Sequence, residues 1–186
     1  MKTITGAILL LAIIILTSCQ GVPGPPGYDG VDGIDGETLI GSIFEIQGDF
    51  TSQNDYILYF EFPNDFEIYD GDVVLVYILW EQASTNDGGT LDVWRLLPQT
   101  VVLEEGVLQY NFDYTLADVQ IFLEGSIDLS TLLPAEADNQ IFRIAVLPAA
   151  FAKNEFFDIN NLGSIMKSLE IDLNSIERID LAVDNY

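Results

Sequence analysis

The chain has no histidine among its 186 residues, a single cysteine, and 6 Lys+Arg against 30 Asp+Glu, for a formal net charge of −24. Without histidine there is no Ser-His-Asp or Cys-His catalytic unit and no His-ligated zinc or haem. One cysteine forbids an internal disulfide and any CxxC metal or redox site. So few cations exclude nucleic acid as a partner, because its phosphates require Lys and Arg for neutralisation. No cofactor and no metal site is expected. The length suits one domain with a substantial core, at roughly 100–200 residues per domain.

Long apolar runs are also scarce, and the first of them is an address. Lys2 is followed by the eleven residues Gly6 to Leu16 (GAILLLAIIIL) and then Thr17-Ser18-Cys19. A charged start, a short apolar stretch and a small residue before a cleavage point describe a secretory signal. The stretch is too short for a bilayer, which needs about 20 apolar residues. Ser18 directly before Cys19, with Leu16 three positions before it, resembles the bacterial lipobox. That resemblance implies a signal peptide over residues 1–18 and diacylglyceryl attachment to the Cys19 thiol. Removing residues 1–18 removes Lys2 and no acid, so the mature charge is 5 − 30 = −25.

Residues 19–40 read as a tether. Gly21, Gly24, Gly27, Gly30, Gly33 and Gly36 recur every third position, and the period breaks at Leu39. This is the collagen pattern, in which only glycine fits the crowded axis of three chains. Six triplets with proline confined to the first two are expected to act as an extended linker, with a trimerising stalk as the alternative. Eighteen such residues reach roughly 55 Å at ~3.1 Å each. Asp29, Asp32, Asp35 and Glu37 follow the triplet spacing and not the 1, 3, 5, 12 spacing of an EF-hand loop, which disfavours calcium.

Residues 41–186 read as a mainly β domain. In Val107–Tyr114, Leu108, Tyr110, Phe112 and Tyr114 alternate with Gln109, Asn111 and Asp113, the mark of a half-buried strand. Val73–Trp80 (VVLVYILW) is apolar throughout, as a strand covered on both faces would be. Ser42–Phe50, Tyr56–Phe62, Leu91–Leu96, Thr100–Leu103, Val119–Leu123 and Gln140–Leu147 complete the strands. Turn residues separate them at Pro63-Asn64-Asp65, Asp70-Gly71-Asp72, Asn86–Gly89 and Glu104-Glu105-Gly106. The pattern predicts an antiparallel β-sandwich. Leu162, Ile165, Met166 and Leu169 then switch to helical spacing, with Asp158 or Asn160 as the expected N-cap. Ile176 and Ile179 suggest another short turn. One or two C-terminal helices are therefore expected over an edge or open end of the sandwich.

The segments Cys19–Gly27, Asp72–Glu81, Val93–Thr100, Tyr110–Gly125, Phe142–Ala149 and Ser164–Ile171 resemble short collagen-like envelope lipoproteins of the Bacteroidota. The resemblance covers nearly the whole mature chain. It implies a lipid anchor on the outer membrane and brings no activity. In that phylum surface export often goes with an acidic cluster directly after the cysteine; here Gln20-Gly21-Val22-Pro23 follows, and the first acid is Asp29. Both the periplasmic and the surface side stay open.

Four sets of residues bear on chemistry. Ser164-Ile165-Met166-Lys167 fits S-x-x-K, but the mature chain has no Lys-Thr-Gly or Ser-Asp-Asn to complete that machinery. Asp113 and Asp118 bracket a turn where two carboxylates could meet, as a hydrolase would require, although solvated turn acids are far commoner. Arg95 and Arg143 lie inside strands and are expected in ion pairs with acids of neighbouring strands, an anion clamp being the alternative. Trp80 and Trp94 are expected in the core, with stacking on sugar rings as the alternative. The sequence thus predicts a lipid-anchored envelope module without catalytic residues, either binding an envelope protein or a glycan or serving as a structural accessory subunit of an outer-membrane complex. A carboxylate-dependent hydrolase is the rival.

Overall fold

The computed structural model describes residues 41–152, 158–172 and 175–181. The signal segment, the Gly-x-y tether and Cys19 lie outside the described residues. Among the described residues nine strands are present: β1 (Ser42–Gly48), β2 (Ile57–Glu61), β3 (Val73–Ser84), β4 (Thr90–Leu96), β5 (Gln99–Leu103), β6 (Gly106–Tyr114), β7 (Asp118–Gly125), β8 (Gln140–Leu147) and β9 (Arg178–Asp180). Three short helices accompany them: α1 (Pro134–Ala137), α2 (Ala149–Ala152) and α3 (Leu162–Ser168).

The strands form a five-stranded sheet in the order β4-β3-β8-β1-β9 and a four-stranded sheet in the order β2-β7-β6-β5. The period-2 residues define the core shared by the two sheets. Ile46, Val74, Val76, Ile78, Phe142, Ile144 and Val146 from the first meet Leu58, Phe60, Leu108, Tyr110, Val119, Ile121 and Leu123 from the second in one apolar cluster. Phe44 fills one end of it, its ring centroid 5.0 to 5.8 Å from those of Phe60, Phe62 and Phe66. Tyr110 reaches across the core and donates to the Glu136 carbonyl of α1 at 2.7 Å.

β3 is an interior strand, flanked by β4 and β8. Its Val74, Val76 and Ile78 enter the shared core. Its alternate residues Leu75 and Tyr77 join Ala145 and Leu147 of β8 in a second cluster, closed by Leu162, Ile165 and Met166 of α3. The uninterrupted apolar run Val73–Trp80 therefore has a cover for each face.

Three expectations need correction. First, α3 covers the outer face of the five-stranded sheet and not an edge or open end. Leu75, Tyr77, Ala145 and Leu147 present an apolar surface there that water would otherwise meet. Second, the N-cap of α3 is Asn161, whose side chain accepts from the Ser164 amide at 3.0 Å; Asp158 instead accepts from the Asn160 amide in the preceding turn. Third, the sheets are not wholly antiparallel. Arg178–Asp180 runs parallel to Glu45–Gln47 of β1 where a short turn was expected. A three-residue strand is too brief for a period-2 signal, and a side-chain ion pair holds it in place.

Candidate binding cleft on the outer sheet face

The ion pair in question is centred on Glu45, whose exposure is 5 %. β1 and β8 pair so that Glu45 lies directly opposite Arg143, and β1 and β9 pair so that it also lies opposite Arg178. One carboxylate oxygen accepts from Arg143 Nε at 2.8 Å and the other from Arg178 Nε at 2.7 Å. The expectation of a cross-strand ion pair at Arg143 is met. Glu45, a residue not singled out beforehand, supplies the acid. Its signal in the sequence was weak: one carboxylate among the apolar residues of Ser42–Gly48, in a chain rich in acids.

Arg143 is 9 % exposed, yet part of its guanidinium has no hydrogen-bond partner among the described residues. Its carbon lies 4.1 Å from the centre of the Trp94 ring, a stacking geometry that favours the cation. Nη1 reaches the Met166 sulfur at 3.8 Å. Nη2 meets no acceptor among the described residues. No fully buried side-chain nitrogen or oxygen among those residues lacks a partner, so Nη2 has access to the surface.

That surface is a cleft of about 720 Å³ between α3 and the β3–β4 ribbon. Trp94, Asp92 and Gln82 lie along its floor, with Arg143 at the inner end and Met166 and Lys167 of α3 along the wall. Gln82 and Asp92 are direct cross-strand partners and hydrogen-bond at 2.8 Å. Lys167 has neither an ion pair nor a hydrogen bond to its side chain among the described residues.

Local contacts fix the wall. Asn161 caps the start of α3. At its end Glu170 takes φ +55°, and the Ile171 amide returns to the Met166 carbonyl at 3.0 Å, a C-terminal closure of the Schellman kind. The Tyr77 hydroxyl donates to the Ile159 carbonyl just before the helix. Burial, and secondarily the nearby Asp158 carboxylate, push the Tyr77 phenol well above its ordinary value, so it remains a donor at any physiological pH.

The other singled-out residues are dispersed. Arg95 lies over the Trp80 ring, 4.0 Å from its centre, where an ion pair was expected. Trp80 packs half-buried on the main core as expected. Trp94 does so only in part, belonging to the second cluster while facing the cleft. Lys167 lines the cleft but Ser164 does not. Asp118 is engaged by the Tyr59 hydroxyl at 2.7 Å and the Thr115 hydroxyl at 2.8 Å. Asp113 sits in β6 opposite Gln120. Among the described residues Asp92 is the one carboxylate on the cleft lining. Among the described residues no three carboxylates come together as a metal-binding group, and no helix is long and apolar enough to cross a membrane.

Comparison of the chain with protein-family models, with curated proteins and with solved structures finds no match.

Proposed function

We propose that this protein is a lipid-anchored binding module of a bacterial cell envelope. In this reading residues 1–18 are a lipoprotein signal, Cys19 carries the lipid, residues 19–40 are the Gly-x-y tether, and residues 41–186 are a β-sandwich domain that holds its ligand in the cleft beside α3. The observation that carries the binding part is the pair of cations in the cleft. In a chain of 30 acids and 6 Lys+Arg, Lys167 and one nitrogen of Arg143 have no acid partner among the described residues, and both line the same cleft. Among the described residues Asp92 is the single lining carboxylate, which favours binding over carboxylate-pair hydrolysis.

Two measurements test the reading. Cys19→Ala is expected to leave the membrane fraction or to accumulate as unprocessed precursor; equal membrane retention overturns the anchor. A photo-crosslinking residue at Leu91, 63 % exposed on the cleft rim, is expected to form adducts in intact cells, whereas one at Val102, 80 % exposed on the four-stranded sheet, is not. Adducts from Val102 alone would overturn the assignment of the cleft.

A further inference from the structure

We infer that the ligand of this cleft is an acidic saccharide, a short oligosaccharide bearing a sugar carboxylate; the inference rests on the cleft being the binding site. The ligand must be anionic. Among the described residues Arg143 Nη2 and Lys167 are donors without acceptors, in a chain whose net charge is −24. A carboxylate takes both as charge-assisted hydrogen bonds. The arginine is already oriented, because Glu45 holds Nε and Trp94 covers one guanidinium face. Little side-chain freedom is lost when it engages a ligand, which favours affinity.

The ligand must also carry several hydroxyls close to an apolar face. Beyond the cations, the floor presents the Thr90 hydroxyl, the Gln82 amide and the Asp92 carboxylate, a mixture of donors and acceptors on one sheet face next to Trp94. Sugar rings offer that combination. A peptide added as an extra strand would dock along the open edge of β4, whereas the cleft is lined by side chains of the β3–β4 face and of α3. The volume of about 720 Å³ suits a small ligand of a few rings and lies within the ~300–1,000 Å³ common for such sites.

The experiment is calorimetric titration of the full mature chain in detergent with trisaccharides ending in glucuronate, galacturonate or sialate. The controls are the corresponding methyl esters and a hexaglutamate peptide. At least one acidic trisaccharide is expected to bind, its ester to bind about tenfold more weakly or not at all, and Lys167→Ala to weaken binding by about tenfold, the loss of one charge-assisted bond. Lys167 is exposed, so the variant is expected to fold normally, and an unchanged melting curve checks this. Arg143→Lys, which keeps the charge but not the fork, is expected to weaken binding while retaining the fold. Failure of all three saccharides, equal binding of acid and ester, or binding of hexaglutamate instead would overturn the inference. If Leu91 still forms adducts in cells, the cleft survives as a binding site and only the ligand class falls; if adducts are absent as well, both fall.

Discussion

Glu45 is the residue on which the outer sheet face turns. It is buried, and among the described residues it is the one acid paired with Arg143. Removing one partner of a buried pair leaves the other charged and poorly solvated, at a cost of about 3 kcal/mol. Glu45→Ala is therefore expected to lower stability by about that amount in urea unfolding. Glu45→Ala combined with Arg143→Met is expected to recover most of the loss. A loss well under 1 kcal/mol for the single variant would mean that cleft water solvates Arg143 without help. Arg178, half-exposed, contributes less to the balance. A second residue gives a pH signature. Burial, assisted by the Glu136 carboxylate, pushes the Tyr110 phenol up from its ordinary 10.0 to about 12. The folded state thus favours the neutral phenol. That contribution is complete below pH 10 and is lost as the pH rises towards 12. Tyr110→Phe is expected to start less stable, having lost the bond to the Glu136 carbonyl, yet to fall less steeply over the same alkaline range. Parallel curves for the two proteins would contradict this assignment.

At the scale of elements, α3 is too short to persist alone in water and exists because the five-stranded sheet needs a cover. Ile165 is fully buried at the centre of that contact, with Leu162 and Met166 beside it. Ile165→Asp is expected to destabilise by several kcal/mol, because it buries a charge without a partner. Met166→Asp is expected to cost less, since Arg143 Nη1 already lies against that side chain and can pair with the new carboxylate. Equal costs would show that the helix does not hold these two residues in different environments. The helix also shows what the sequence made legible. Leu162, Ile165, Met166 and Leu169 revealed an amphipathic helix, and VVLVYILW revealed a strand with two covered faces. Joining them required noticing that the second face of that strand had nothing else to meet. Gln140–Leu147 was located to the residue, because after Gln140 its apolar run is broken only by Arg143. The cleft was not legible. Gln82, Asp92 and Trp94 become neighbours only through a two-strand register that shifts between Leu79 and Glu81, and a bulge leaves no mark in hydrophobic periodicity. Arg143 and Lys167 were visible as rare cations, but their convergence depends on where α3 docks.

The whole molecule carries its charge unevenly, and this sets its response to salt. All four described cations, Arg95, Arg143, Lys167 and Arg178, belong to β4, β8, α3 and β9 on the side of the five-stranded sheet. The four-stranded sheet has none and carries Glu61, Asp113, Asp118 and Glu124. Folding concentrates those acids on one surface, where they repel one another with no cation of the four-stranded sheet to intervene. Screening reaches exposed charges most strongly: the Debye length falls from about 30 Å at 0.01 M salt to about 10 Å at 0.1 M. The Glu45 pairs are sheltered, so salt should relieve the surface repulsion more than it weakens the buried attraction. The melting temperature is therefore expected to rise with sodium chloride between 0.01 and 0.5 M. A gain of about 1 kcal/mol corresponds to about 2–4 °C for a chain of this length. The gain is expected to be largest at the low end of the range, where the screening length changes most. Calcium chloride at matched ionic strength is expected to do no better, since diffuse screening depends on ionic strength and not on a coordination shell. A flat or falling melting temperature would place the dominant electrostatics in the buried pairs. A saturable rise with calcium at about 1 mM or below would instead require a specific cation site, of the kind that stabilises the folded state by binding it alone.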